Sequence, residues 1–178
     1  PWLHRVAMNL FGESEFTIRI PTTVCYVLAI VVSYFLGREF AGPTFGGLVA
    51  LMTAWHPSAL PEVMFARCYG VTLLLSALCF LFAVKWYRFP YRYQGVIGWT
   101  VTSIALIWTH YLNAAVVLAT MAVMAWRVRV NRRSTLLLLA STMCLLWTIS
   151  PLYSPLLRMS AWGKYFAFQA SVSVFEII

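Results

Sequence analysis

Long apolar runs alternate in this sequence with short segments that hold most of the prolines and charged residues. The runs approach the roughly 20 residues that an α-helix needs to cross a bilayer. The pattern predicts an all-α fold: a polytopic membrane helix bundle of about six transmembrane helices in a single membrane domain. The predicted spans cover residues 16–36, 44–58, 67–84, 94–108, 112–126 and 134–149.

The two ends of the chain have patterns that differ from those of the spans. Residues 1–11 form a short amphipathic pattern, which predicts an interfacial helix that lies on one membrane surface and stops at Gly12. Residues 150–165 contain two prolines and two basic residues and are predicted to form an outer loop. The apolar residues 166–178 begin a further segment. The apolar face of the interfacial helix comprises Trp2, Leu3, Val6, Ala7 and Leu10.

The composition indicates that lipid is the main solvent. The chain is 62% hydrophobic and only 10% charged, whereas roughly a quarter of the residues in soluble domains are charged. A net charge of +8 would suit a nucleic-acid partner, but the basic residues lie in short clusters between apolar runs, as the positive-inside rule describes. We therefore expect membrane lipids as partners and no nucleic acid.

The basic clusters also predict the orientation. Arg38, residues 85–92 and residues 127–133 together hold eight of the 13 basic residues, so their side is expected to be cytoplasmic. By alternation, the amino-terminal residues and the connection from His56 to Tyr69 face outward. We expect a multi-pass protein of the bacterial cytoplasmic (inner) membrane. Since no leading span or signal carries the first residues across, we also expect a missing first helix and a longer protein.

Cysteines and acids limit the chemistry that the chain can perform. The cysteines lie singly in or beside apolar runs, so they are interpreted as buried hydrophobes and not as disulfides or zinc ligands. His56 and Glu62 flank a proline-rich segment with no recognised metal-ligand spacing, and no metal or cofactor is identifiable. The sequence contains no Asp. Its cysteines are Cys25, Cys68, Cys79 and Cys144, and its acids are Glu13, Glu15, Glu39, Glu62 and Glu176.

Residues 11–21, FGESEFTIRIP, resemble the F-G-x-S-x-F-x-x-R-x-P pattern of the C-type, polyprenyl-phosphate-sugar-dependent glycosyltransferases. The resemblance is to the bacterial group related to protein mannosyltransferases and aminoarabinose transferases. Three further segments follow the family's order and spacing: PWLH at residues 1–4, ARCY at 66–69 and THY at 109–111. The resemblance covers roughly residues 1–165.

The resemblance implies transfer of a sugar from a polyprenyl-phosphate donor on the outer face, with a divalent metal allowed in a complete enzyme. In the family the catalytic acid, usually an Asp, precedes the segment that matches Pro1, so no catalytic residue is expected in this chain. Many relatives also have an acid directly before A-R, where this chain has Phe65. An apolar ring can neither accept a proton nor bind a metal or a sugar hydroxyl.

Four residues are candidates for binding the donor phosphate or sugar: Arg67, Tyr69, His110 and Tyr111. Arg67 begins the predicted third span, where its guanidinium can grip a lipid-linked phosphate in bidentate fashion or extend to the headgroups instead. His110 can orient a substrate or cap helix carbonyls. Tyr69 also fits a packing role. Glu13 and Glu15 suit the positive end of the following helix.

Two functions stay open. The first is the membrane core of such a glycosyltransferase. The second is a non-catalytic, glycosyltransferase-derived subunit of a larger membrane complex, such as a respiratory or photosynthetic energy-converting assembly, with other membrane subunits as partners. The lack of Asp and the presence of Phe65 motivate the second hypothesis. A transporter is disfavoured because no pair of interrupted spans occupies symmetric positions.

Overall fold

A computed structural model describes residues 2–57, 69–90, 92–109, 113–128 and 132–152, and within these ranges all regular structure is helical. This confirms the predicted all-α class. Two helices, α2 and α3, are long and apolar enough to cross a membrane. The helices are α1 (Trp2–Phe11), α2 (Glu15–Ala54), α3 (Tyr69–Arg88), α4 (Tyr93–Thr109), α5 (Ala114–Val128) and α6 (Arg132–Ile149), followed by a 3₁₀ turn (Ser150–Leu152).

Helix α2 is broken at Ala41 and Gly42, where the backbone leaves helical geometry. Gly42 has φ +86°, in the left-handed region that glycine adopts without steric cost. Pro43 follows, and its missing N–H and fixed φ suit the first position of a new helical segment. The break divides α2 into a first arm, residues 15–40, and a second arm, residues 43–54.

The two arms fold back on each other as a hairpin. Tyr26 Oη donates to the carbonyl of Thr53 at 2.9 Å, although 27 residues separate them. Along a straight helix these residues would lie about 40 Å apart. Near the break, a Cβ atom on Gly46 would lie 2.6 Å from the Tyr34 carbonyl oxygen. The break at Ala41 and Gly42 lies in the gap between the predicted spans 16–36 and 44–58 and is narrower than that gap.

Helices α3 and α4 continue the bundle by the same close packing. α3 packs against α2, and α4 packs antiparallel to α3. A Cβ atom on Gly95 would lie 2.8 Å from Trp86 Cα, and the Trp86 and Trp99 rings lie 5.8 Å apart between centroids. α4 further contacts α6, while α5 contacts α3 and α6. Small residues therefore permit close contact between these helices.

A polar cluster joins three helices inside the bundle. The indole of Trp99 on α4 donates to Thr120 Oγ1 on α5 at 3.0 Å. Cys79 Sγ on α3 lies 3.5 Å from Ser103 Oγ and 3.9 Å from Thr120 Oγ1. All four side chains are buried. Since a buried polar group without a partner is costly, this cluster fixes the relative positions of α3, α4 and α5.

The ends of the bundle differ in charge. Thr22 of the first arm contacts Gly70 at the start of α3, and Glu39 at the end of that arm is paired with Arg88 at the end of α3. The first arm and α3 therefore run parallel. We name the end where both begin the junction end. The opposite end holds Arg38, Lys85, Arg88 and Arg92 and is named the basic end.

The adjacent glycines of the second arm give a matched test of the hairpin. Gly46→Ala should destabilise the protein by about 1–3 kcal/mol, because the added methyl collides with backbone of the first arm. Gly47→Ala should be neutral or stabilising by up to about 1 kcal/mol, because alanine has the higher helix propensity and a Cβ there meets nothing within 4 Å. Unfolding in detergent, followed by circular dichroism, measures both variants. Equal effects of the two substitutions would contradict the hairpin.

Candidate functional site

The candidate site lies at the junction end, where the described parts of the matching segments meet. Of the four predicted donor-binding residues, Tyr69 begins α3 and is 45% exposed. Arg67, His110 and Tyr111 lie outside the described residues. The described part of the site therefore consists of the helix ends that precede and follow these residues in the chain.

The connection between α1 and α2 is set by a glycine and a serine. α1 ends at Gly12, with φ +80° and its N–H bonded to the Met8 carbonyl at 2.9 Å, which is the predicted stop. Ser14 then caps α2, because its Oγ accepts from the Thr17 N–H at 3.1 Å. The hydroxyls of Ser14 and Thr17 lie 2.8 Å apart. Gly12 and Ser14 thus turn the chain from α1 into α2.

Glu15 lies in the first turn of α2, which agrees with its predicted position at the positive end of that helix. It also pairs with Arg19 one turn later. Arg19 is 41% exposed and Glu15 82% exposed, so the pair is solvated at this end. Neither Glu13 nor Glu15 is the cap itself, since that role belongs to Ser14.

Gly70 brings the start of α3 against the first arm of α2. A Cβ atom at Gly70 would lie 2.3 Å from the Thr22 carbonyl oxygen, so only glycine permits this approach. Tyr69 therefore begins α3 within one turn of the FGESEFTIRIP segment that ends at Pro21. The Thr22 hydroxyl is buried at this contact and has no hydrogen-bond partner among the described residues.

The second arm of α2 ends beside the same region. Tyr26 Oη lies 2.9 Å from the Thr53 carbonyl and 3.1 Å from that of Ala54, two of the last carbonyls of the helix, which have no partner further along α2. The side chain of Tyr26 is only 6% exposed. Trp55 follows with 80% of its surface exposed, and His56 is also exposed.

Helices α4 and α5 meet at this end too. Asn113 Nδ2 donates to the Leu106 carbonyl at 3.2 Å, which holds the start of α5 against the last turn of α4. Trp108 Nε1 donates to the Thr148 carbonyl of α6 at 3.2 Å. Thr109, the last described residue before His110, bonds back to its own helix through the Ala105 carbonyl at 2.7 Å. These three hydrogen bonds stabilise the helix ends. Their N–H and O–H groups are used within the protein and do not point to a bound substrate.

The described side chains at the junction end include no set of metal ligands. Among the residues that the structure describes, no group of three His, Cys, Asp or Glu side chains lies close enough to bind an ion. The divalent metal allowed by the family resemblance therefore finds no matching ligands in this part of the chain. The described polar side chains there include the exposed Tyr69 and Arg19, which is paired with Glu15.

Known proteins add nothing to this description. Comparisons with protein-family models, with curated proteins and with solved structures found no match for the chain. The candidate site therefore depends on the local geometry and on the ordered segments in the sequence.

Sequence analysis missed two residues that organise this end. Ser14 could have been predicted as a helix cap, since serine directly before a helical pattern is a common helix start. Tyr26 carries no comparable signal, because its partners are backbone carbonyls 27 and 28 residues away.

Tyr26→Phe tests how the hairpin is held closed at the candidate site. Removing the hydroxyl should lower the free energy of unfolding by about 0.5–1.5 kcal/mol, because two carbonyl groups lose a donor. Tyr34→Phe is the control, since Tyr34 lies on the same arm and its hydroxyl has no partner among the described residues. Unfolding in detergent measures both. A larger loss in Tyr34→Phe than in Tyr26→Phe would contradict the role of this bond.

Proposed function

We propose that this chain is a multi-spanning membrane bundle of the glycosyltransferase type that binds a polyprenyl-phosphate sugar at its junction end. The contact of Gly70 with Thr22 carries the proposal. Through this contact, residues 11–21 and Tyr69, the described residue of the segment 66–69, approach one another across α2 and α3. Independent sequence segments that converge at one end are expected for a binding site.

The helix lengths support a multi-spanning arrangement. α2 and α3 meet the length and hydropathy expected of spans. α4 has 17 residues and α6 has 18, or about 26 and 27 Å at 1.5 Å per residue, close to the roughly 30 Å of a hydrocarbon core. Short spans are accommodated by local thinning and by flanking side chains. Exposed tryptophans at helix ends suit the membrane interface: Trp55, Trp108, Trp126 and Trp147.

The charge distribution supports one orientation. The basic end holds Arg38, Lys85, Arg88 and Arg92, with Glu39 as the acid paired there among the described side chains, so it would face the cytoplasm. The junction end, with Glu13 and Glu15 near its surface, would face outward. In this orientation the candidate site would lie on the side where the family resemblance expects the lipid-linked sugar.

In the proposed reaction, Arg67 holds the donor phosphate through paired charge-assisted hydrogen bonds. The exposed Tyr69 lies two residues further and contacts the donor. An acceptor oxygen attacks the anomeric carbon, the bond from that carbon to the phosphate oxygen breaks, and polyprenyl phosphate leaves. The acceptor proton passes to a carboxylate base, a role that the resemblance assigns to no residue of this sequence, which has no Asp and has Phe65 before Ala66.

Phe65 also favours a second candidate function. A glycosyltransferase-derived subunit that no longer catalyses transfer would lose the need for an acid at this position while keeping the fold. Its exposed apolar helix faces would then contact other membrane subunits. The face of α6 with Leu139, Met143 and Leu146 is one such surface.

Cysteine labelling tests the proposed topology. In a variant without the native cysteines, Glu13→Cys should react with a membrane-impermeant maleimide in intact cells, because the junction end faces outward. Gln94→Cys at the basic end should react only after the cells are opened. Both positions are exposed, so a difference in reaction reports the side of the membrane. Labelling of both cysteines in intact cells would contradict the arrangement.

Arg67→Gln tests donor binding. The substitution should weaken binding of a polyprenyl phosphate by about 10- to 100-fold, because a hydrogen bond to a charged group contributes roughly 1.5–3 kcal/mol. Arg5→Gln is the control, since Arg5 is an exposed cation on α1 at the same predicted side. Binding to the purified protein in detergent is measured by isothermal calorimetry.

The same assay separates the two candidate functions. Wild-type protein that binds polyprenyl phosphate no better than Arg67→Gln would argue against the glycosyltransferase proposal. Isolation of the chain in a stable complex with other membrane subunits, together with this lack of binding, would favour the non-catalytic subunit.

A further inference from the structure

A cavity of about 470 Å³ opens at the basic end, between α3, α5 and the break in α2. Its volume falls in the range of about 300–1,000 Å³ that is usual for small-molecule sites. It lies on the half of the bundle away from the junction end, so it is separate from the candidate donor site. The residues that line it are mostly apolar and include Phe40, Phe80, Val84, Ala119, Val123 and Met124.

The cavity opens to the surface that would face lipid. Phe40 is 62% exposed and Val123 is 56% exposed, so its walls are continuous with the apolar outside of the bundle. A hydrocarbon chain can therefore enter from the side without crossing a polar barrier.

One rim of the cavity is cationic. Arg88 lines it, and Arg88 Nη1 donates to Glu39 Oε2 at 3.1 Å. The last turn of α3 contains Lys85 and Arg88, and Arg92 follows four residues after Arg88. In the described part of the chain, Glu39 is the acid that faces these cations. The cations therefore exceed the acids here, and part of this charge has no counter-ion among the side chains that the structure describes.

A second cavity lies on the other side of this ion pair. It has a volume of about 270 Å³ and is lined by Glu39, Lys85, Arg92 and Gln94 among others. Because Glu39 lines the polar cavity and Arg88 lines the apolar one, the two cavities approach each other at the bonded pair. An apolar cavity thus adjoins a polar, cation-rich one at the depth where the headgroups of a bilayer would lie.

We propose that the basic end binds one anionic phospholipid, with an acyl chain in the 470 Å³ cavity and its phosphate at Arg88. The apolar walls select a hydrocarbon chain, and the excess of cations over Glu39 selects a negative headgroup over a zwitterionic one. Basic pockets between membrane helices on the cytoplasmic side are suited to such headgroups. The inference rests on the multi-spanning arrangement proposed above and not on sugar transfer.

Native mass spectrometry of the purified full-length chain tests this site. The delipidated protein is titrated with dioleoylphosphatidylglycerol and with dioleoylphosphatidylcholine. We expect one phosphatidylglycerol to bind about fivefold more tightly than phosphatidylcholine, the factor that roughly one basic residue near the surface contributes. Arg88→Gln should remove this preference. Arg19→Gln is the control, because it is also a glutamate-paired arginine and its exposure of 41% matches the 43% of Arg88.

Two substitutions on α5 test the acyl-chain cavity. Ala119→Trp should fill it and weaken phosphatidylglycerol binding by at least about tenfold, as expected from loss of roughly two buried methylenes. Ala115→Trp is the control, since this exposed alanine lies one turn earlier on the same helix and does not line the cavity. If Ala119→Trp loses helicity, Val123→Trp replaces it with the same expected loss, because Val123 starts from an exposed position.

Unchanged lipid binding in both Ala119→Trp and Val123→Trp would overturn the proposal. So would an equal loss of the phosphatidylglycerol preference in Arg88→Gln and Arg19→Gln. The third contrary result is a protein dimer, in place of a lipid adduct, that Ala119→Trp abolishes. Sugar transfer does not enter the readout. Failure of the glycosyltransferase proposal would therefore leave the expected lipid binding unchanged, and topology is measured separately by labelling.

Discussion

Close approach of helix backbones at glycines determines how the first four segments of the bundle pack. Gly46 brings the second arm of α2 onto the first arm at Tyr34, Gly70 brings α3 onto Thr22, and Gly95 brings α4 onto Trp86. In lipid the removal of apolar surface from water does not drive helices together, so association depends on van der Waals contact and hydrogen bonds. Contact of this kind increases as backbones approach, and a side chain at any of these positions would hold the helices apart.

Hydrogen bonds add direction to this packing. Most threonine hydroxyls in the bundle bond back to a carbonyl of their own helix, as Thr100 does to Val96 at 2.8 Å, and such bonds do not specify a neighbour. Trp99 differs, because its indole reaches across to Thr120 on another helix. Tyr26 likewise reaches from one arm of α2 to the end of the other. These two bonds therefore select the partner surfaces, whereas the glycines set the distance between them.

The all-α class and the order of the described helices follow from the long apolar runs, although the predicted spans 16–36 and 44–58 lie within one broken helix, α2. The end of α1 at Gly12 was also predictable, because glycine commonly ends helices. The width of the break in α2 could not be predicted from the sequence. Arg38 and Glu39 lie between the predicted spans 16–36 and 44–58, yet the helix continues through them, since long charged side chains can keep their charged groups in solvent while the backbone stays helical.

The candidate site was only partly predictable, for a different reason. A segment that resembles a family pattern predicts which residues are candidates for the site, but it does not predict how two such segments contact each other. The contact of Gly70 with Thr22 depends on the path of the chain through the second arm of α2. Glycine in an apolar run is compatible with many contacts. Gly46 and Gly47 are neighbours in sequence, yet only Gly46 faces the other arm.

The chemistry of arginine explains how the basic end can combine a structural contact with a ligand. A partly exposed ion pair such as that of Arg88 and Glu39 contributes only about 0–1 kcal/mol, so sharing the guanidinium costs little stability. The guanidinium has five N–H donors in a fixed plane, and the Glu39 bond uses one of its two terminal nitrogens at 3.1 Å. Lysine in the same position would offer a single ammonium group and would have to divide it between carboxylate and phosphate. An arginine at the junction of the apolar and polar cavities can instead keep the first arm of α2 against α3 while it binds a phosphate, so the two roles do not compete.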